Sequence, residues 1–364
     1  MKKGKIYIQG LDGIRALAII GVTLFHLFPN VIKGGYLGVS LFFVLTGFLL
    51  AVTSKKEFHL FKYFKKRIVR IYPALFIVVF ISLGVLFFVS PNSLSGMKQE
   101  VASIFLGYNN WWQIGQNADY FSRISNASPF THFWYLGIEL QYYLIWPIIF
   151  LIYKMAKKAG HPSLNIAILS VLTMMSMMLM PLLYKEGMDV TPLYYGTHTR
   201  VYALLLGSLL GFCFKNKKKE CSIFQKSISI ILFVFLCIVT CFAYVYLDGQ
   251  SPFLYKGGMI AMTFVFVLLI YLVSLPSFLM GKWLDNRVLK WIGKHSYAIF
   301  LWQYPVLFIF SKLGLHEFYW KFVQLFVIVL LALFVDYIVN GKQSSKLLWY
   351  SASLCTVICM SFGG

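Results

Sequence analysis

Charge is scarce in this chain, and acid is scarcer still. Asp, Glu, Lys and Arg together make up 12% of 364 residues, about half the roughly 25% of a soluble domain. That excludes an ordinary water-soluble fold. Acids number 12 against 33 Lys and Arg, giving a formal net charge of +21. Cysteine is sparse and unpatterned: Cys213, Cys221, Cys237, Cys241, Cys355 and Cys359 form no CxxC pair and join no His cluster. This speaks against a metal site or a disulfide framework and leaves packing as their role. There is no phosphate loop of the P-loop or dinucleotide type, no internal repeat and no low-complexity tail. A cleavable signal peptide is not expected either. The opening MKKGK precedes an apolar run, but Asp12 and Arg15 interrupt that run and no small-residue cleavage site follows, so it reads as a retained first span.

What is present is apolar. Hydrophobic residues make up 59% of the chain, and the mean hydropathy is +0.75. Crossing ~30 Å of hydrocarbon takes about 20 apolar residues per helix. Candidate spans are 11–29, 36–53, 71–90, 132–153, 164–184, 198–214, 225–247, 257–275, 295–311, 318–339 and 347–362. The fold class is therefore an all-α polytopic membrane protein, a bundle of about 10–11 transmembrane helices. The stretch 98–112 is apolar enough to be a twelfth span or a re-entrant piece. The linker holding Trp283 and Trp291 among Lys282, Arg287 and Lys290 reads as an interfacial helix.

Basic residues set the expected orientation. Segments 1–10, 54–70, 154–163, 215–226, 276–294 and 340–346 hold 24 of the 33 Lys and Arg, and the segments of the opposite side hold 6. The positive-inside rule then makes the first set cytoplasmic. The protein is expected in the cell membrane as a multi-pass chain, with its N-terminus cytoplasmic and its C-terminus extracytoplasmic. The same asymmetry accounts for the net charge through anionic membrane lipids, without nucleic acid as a partner.

Ionisable residues inside apolar spans are expensive and mark function by default. The first span carries Arg15 and His26. At about 100° per residue, eleven residues bring them to one face, and at ~1.5 Å rise they stand roughly 16 Å apart. In the fourth span His132 and Glu139 are seven apart and share a face, which Tyr142 and Tyr143 continue. Arg200 lies near the outer side of the sixth span, and Asp336 is a lone acid in the tenth. Arg67 and Arg70 sit at i,i+3 in a basic cytoplasmic segment, just before Pro73 begins the third span. Paired guanidinium forks suit a phosphate or pyrophosphate; the plain alternative is a positive-inside anchor. The longest outer segment, 91–131, contains Asn109, Asn110, Trp111, Trp112, Asp119, Tyr120 and Arg123. Aromatic and amide side chains suit sugar contact, and they equally suit the interfacial belt. Gly34, Gly35, Gly38 and Gly47 allow close helix approach.

Taken together, these blocks resemble the acyltransferase-3 family of integral membrane acyltransferases. The resemblance runs over nearly the whole chain. It rests on Arg15 and His26 at R-x10-H, GGYLGVSLFFVLTGFL, Arg67 and Arg70 before Tyr72-Pro73, HFWYLGIELQYYLIWP, YYGTHTR and IGKHSYAIFLWQYP. NNWWQIGQNADYF adds a likeness to the membrane part of Gram-positive peptidoglycan and surface-polysaccharide O-acetyltransferases. Five positions depart from the family's usual residue: Ser40 and His198 replace Asp, Leu140 replaces Glu, Tyr135 replaces Ser, and Gln303 replaces His. Many relatives continue into an extracytoplasmic SGNH esterase-like domain. Here no Gly-Asp-Ser nucleophile block occurs, so residues 1–364 are expected to be a single transmembrane acyltransferase domain. It is either a stand-alone enzyme or the membrane half of a longer one, with any SGNH domain separate.

The resemblance implies an O-acetyltransferase. Acyl-CoA (acetyl-CoA as the commonest donor, with no metal) would be used from the cytoplasm, and a hydroxyl of a cell-surface glycan would accept the acyl group outside: peptidoglycan, capsule or exopolysaccharide. Arg67 and Arg70 would hold the CoA phosphates, and Arg15 would guide the pantetheine arm. His26 would act as general base, Glu139 would orient it or balance its charge, and Tyr120 is a relay candidate. Arg200, His132, Trp111 and Trp112 would contact the acceptor. The rival reading is a proton-coupled transporter or lipid-linked glycan flippase using Arg15, His26 and Glu139. It leaves the paired Arg unexplained.

Overall fold

The computed structural model describes residues 7–54, 58–116, 128–214, 222–275 and 280–340. Among them all regular structure is helical. The helices are α1 (Leu11–Leu27), α2 (Gly38–Ser54), α3 (Leu60–Val89), α4 (Met97–Leu106), α5 (Asn109–Gly115), α6 (Trp134–Lys158) and α7 (Pro162–Leu183). They continue with α8 (Thr191–Tyr195), α9 (Thr197–Cys213), α10 (Ile223–Tyr246), α11 (Met259–Ser274), α12 (Met280–Leu284), α13 (Arg287–Lys312) and α14 (Trp320–Asn340). Seven helices among the described residues are long and apolar enough to cross a membrane: α2 with the turn before it, α3, α6, α7, α10, α11 with the turn before it, and α14. The chain is an all-α polytopic membrane protein. Ten of the eleven expected spans fall on helices, and the eleventh, 347–362, lies outside the described residues.

One expectation is narrowed and one is corrected. Of the two readings of 98–112, a twelfth span or a re-entrant piece, the twelfth span is ruled out. Gly107 takes φ +78° at the end of α4, a conformation that costs glycine least, and so the run splits into α4 and α5. Neither piece reaches the about 20 residues a crossing needs. The third span does not begin at Pro73 either. Pro73 lies inside α3, whose 30 residues start at Leu60 and extend about 45 Å. Tertiary neighbours re-satisfy backbone groups around a membrane proline, so the basic segment and the apolar span form one helix.

The helices cluster into two compact units. The first comprises Met1–Glu57 and Ile145–Ser296, the second Phe58–Leu144 and Tyr297–Gly364. Within the first, α2 and α9 pack backbone to backbone. A Cβ on Gly47 would stand 2.0 Å from the Leu204 carbonyl oxygen, and one on Gly207 would stand 2.0 Å from that of Val44. Without a hydrophobic drive between helices in lipid, small residues that allow such approach are the main adhesive. Ser208 Oγ adds a hydrogen bond to the Gly47 carbonyl at 3.1 Å. α1 lies close to the start of α2, where a Cβ on Gly35 would meet the Gly21 carbonyl oxygen. The glycines of the second span are therefore packing residues. Met174, Met175 and Met178 of α7 are exposed, as expected for a lipid-facing surface.

In the second unit α3 packs with α14, and α4 with α5. Gln141 of α6 ties down the turn between α4 and α5. Its amide donates to the Gly107 carbonyl and to Asn110 Oδ1, each at 2.9 Å. Tyr72 of α3 donates to the Phe105 carbonyl at 3.0 Å, and Tyr297 of α13 donates to the Ile71 carbonyl at 3.0 Å.

Candidate active site

In the first unit α1 carries both of its singled-out residues. His26 is in the last helical turn, 4% exposed. Arg15, one face-repeat earlier, pairs with Asp12 at i,i+3. The acid that interrupts the N-terminal run is thus the guanidinium's local counter-charge.

Arg200 of α9 is 1% exposed. Its guanidinium donates to Ser40 Oγ at 3.0 Å, meets Met259 Sδ, and stands 4.9 Å over the Tyr194 ring and 6.0 Å over that of Phe43. Such stacking over aromatic faces strengthens when the cation is desolvated. The departure from the family at position 40 is now legible. An Asp there would face a buried guanidinium, whereas Ser gives it a neutral hydrogen bond. Restoring the acid with Ser40→Asp is expected to be tolerated or stabilising beside Arg200, and to lower the unfolding temperature in an Arg200→Leu background, where the carboxylate is left uncompensated. A thermal-unfolding double-mutant cycle reads this coupling. Additive effects would break the pairing.

In the second unit the structure brings Arg67 and Glu139 into one chain of contacts. Glu139, 8% exposed, accepts a hydrogen bond from Tyr143 Oη, one turn on, at 2.5 Å. The Arg67 guanidinium lies 5.0 Å over the Tyr143 ring and 5.3 Å over the Tyr63 ring. Tyr63 Oη in turn donates to the Tyr143 carbonyl at 3.0 Å. Two aromatic faces therefore hold the guanidinium, and its buried Nε has no hydrogen-bond partner among the described residues. Arg70 is exposed on the same helix. The condition for a shared i,i+3 face, that this segment is helical, is met. Sequence reasoning placed Tyr143 on the face of Glu139 but missed Tyr63, whose only signal is its i,i+4 spacing from Arg67.

His132 lies in a 3-10 turn, Thr131–Phe133, that leads into α6. It is 2% exposed, with its ring 5.5 Å from that of Tyr304 in a stacked arrangement and 5.0 Å from that of Phe300. Trp111 is exposed, and Trp112 is half-buried. Tyr120 and Asp119 lie outside the described residues. Leu140, where the family often has an acid, packs against Gly107. Tyr135 meets the edge of Phe300.

Comparison with known proteins places these residues in context. A family model described as "Acyltransferase domain" matches residues 8–341. Similar curated proteins include the peptidoglycan O-acetyltransferase OatA of Listeria monocytogenes, 32% identical over 309 residues, which covers 83% of this chain and 49% of that protein. The putative peptidoglycan O-acetyltransferase YrhL of Bacillus subtilis is 34% identical, again over 83% of this chain and 49% of the relative. The O-acetyltransferase OatA of Staphylococcus aureus is 33% identical over 83% of this chain and 51% of its own length. The chain thus spans about half the length of these curated relatives. No solved structure matches it. With an acyltransferase model running from residue 8 to residue 341 and relatives above 30% identity, the chain belongs to the acyltransferase-3 family.

Proposed function

We propose that this chain moves an acetyl group from cytoplasmic acetyl-CoA to a hydroxyl of an extracytoplasmic cell-wall glycan. One observation carries the reading. Nearly the whole chain matches an acyltransferase domain, and the relatives it matches are named peptidoglycan O-acetyltransferases. The buried ionisable residues support it, because a chain that only packed in lipid has no use for His26, Glu139 and Arg200 at 8% exposure or less. The distribution of Lys and Arg supports a cytoplasmic N-terminus and a basic start of α3 on the same side.

In this reading each residue has a distinct task. Arg67, held by two tyrosine faces, and Arg70 bind the CoA phosphates, and Arg15 guides the pantetheine arm. His26 is the general base. It takes the proton of the acceptor hydroxyl as that oxygen bonds to the thioester carbonyl carbon. The carbon–sulfur bond then breaks, and the CoA thiolate leaves and is protonated. Glu139 keeps its assignment as the acid that balances charge during the transfer, and Tyr120 its assignment as a relay. Arg200 and His132 are assigned to the acceptor side together with Trp111 and Trp112. Imidazole as a side-chain type suits a base that works at neutral pH.

The test is direct. Purified chain in nanodiscs, given acetyl-CoA labelled in the acetyl group and an N-acetylglucosamine oligomer, is expected to yield labelled glycan and free CoA in equal amounts by mass spectrometry. Donor binding with neither slow hydrolysis nor transfer would defeat the reading and favour a conduction role for the same buried residues.

A further inference from the structure

The second unit holds a cavity of whose lining the roles above use only Trp112. It has a volume of about 250 Å³ and is lined by Glu100, Trp112, Gln113, Gln116, Ser93 and Ser128 among others. Its floor is built. Glu100 of α4 is 2% exposed. One carboxyl oxygen accepts from Gln113 Nε2 of α5 at 3.0 Å, and the other accepts from Ser128 Oγ at 2.6 Å. Ser128 Oγ is fixed in turn by the Phe130 N–H at 3.0 Å. Burial pushes the Glu100 carboxyl up to about 7, against the pull of the Ser128 and Gln113 hydrogen bonds, so near neutral pH it is present both as acceptor and as donor. Trp112 lines the cavity, and its buried Nε1 has no hydrogen-bond partner among the described residues.

The lining chooses the ligand. Among the described residues it contains no Lys, Arg or His, so these groups suit an uncharged ligand and not a phosphate or carboxylate. Amide, hydroxyl and carboxyl groups around one aromatic side chain match the alternating polar edges and apolar faces of a sugar ring. The volume falls below the about 300–1,000 Å³ of sites that enclose a drug-sized molecule, which limits occupancy to a single ring.

We propose that this cavity is an acceptor subsite, in which one uncharged sugar ring of the glycan packs on Trp112 and hydrogen-bonds Glu100, Gln113 and Gln116. This rests on the glycan acceptor proposed above. It also distinguishes Trp112 from Trp111, because only Trp112 lines the cavity. Glu100 is a positioning residue, and the proton transfer stays with His26.

The experiment uses the full chain in nanodiscs and tetra-N-acetylchitotetraose as the probe, with affinity read by calorimetry and turnover by transfer of labelled acetyl. The probe should bind the parent chain with little salt dependence. Glu100→Gln and Trp112→Ala should each raise its Kd, and the acceptor KM, about tenfold, the scale of one lost hydrogen bond to a charged group for the first and of a lost aromatic face for the second. Gln116→Ala should raise them less, and kcat should fall less than KM rises. Acetyl-CoA affinity serves as the folding check, and Trp112→Ala and Gln116→Ala decide the matter if Glu100→Gln does not fold. Parental probe affinity in both Trp112→Ala and Gln116→Ala overturns the subsite and leaves acyl transfer standing. The same holds if the parent fails to bind the probe at about 1 mM while still acetylating envelope glycan. A chain that binds the probe through these residues but neither acetylates it nor hydrolyses acetyl-CoA supports the subsite and defeats the transferase reading.

Discussion

His26→Ala is expected to lower acetyl transfer by about 10²–10⁴-fold, the range that a positioned general acid or base supplies, with acetyl-CoA affinity close to the parent's. His26 is 4% exposed in the last turn of α1, so the substitution leaves a cavity as well as removing a base. His26→Gln separates the two effects. It keeps most of the volume and a hydrogen-bonding end but cannot take a proton at neutral pH, so it should fold better than Ala and transfer as poorly. Single-turnover transfer and donor affinity measured on the same sample distinguish a chemical defect from a binding one. If a well-folded His26→Gln protein transfers acetyl at the parental rate, His26 has no part in proton transfer.

Donor affinity should depend almost as strongly on Arg67. Arg67→Lys keeps the charge but loses the planar fork and most of the stacking on Tyr63 and Tyr143, so the acetyl-CoA Kd should rise at least ~10-fold. Tyr143→Leu removes one aromatic face and should move the Kd in the same direction. Tyr143→Phe keeps the face and loses only the hydrogen bond to Glu139, so it should be the milder of the two. Raising salt should weaken the parent and the Arg67→Lys protein alike, since screening acts on the phosphate contacts they share, and leave the difference between them. An Arg67→Lys protein that binds acetyl-CoA as the parent does would reduce the pair to an anchor for membrane orientation.

Much of this fold was legible because lipid imposes a simple code. Apolar runs of span length become helices, since within a single segment only a helix satisfies its own backbone in hydrocarbon, and ten expected spans lie on helices. The misreadings have local causes. Residues 98–112 are apolar enough for a span, yet Gly107 terminates the first helix after ten residues. Pro73 read as the start of the third span, but it lies inside a 30-residue helix that begins at Leu60. The site was legible residue by residue and much less so as contacts. Glu139 stood out as a charge in a span, Arg67 as half of an Arg pair and Tyr143 by its helical spacing from Glu139, whereas Tyr63 carried only an i,i+4 spacing from Arg67 in a chain rich in tyrosine. Ser40 meant little until Arg200 was found beside it. Glu100 went unremarked in the segment expected to be an outer loop, although an acid followed by VASIFLG is a charge on a largely apolar helix face.

The central claim, that this chain acetylates a cell-wall glycan through His26, is tested most directly in the cell. O-acetyl content of envelope glycans is measured by mass spectrometry in a strain lacking the gene and in the same strain carrying the parental chain or His26→Gln at equal membrane abundance. The expected result is loss of an O-acetyl modification on deletion, its return with the parental chain, and no return with His26→Gln. Unchanged O-acetylation on deletion, or full restoration by His26→Gln, would contradict it.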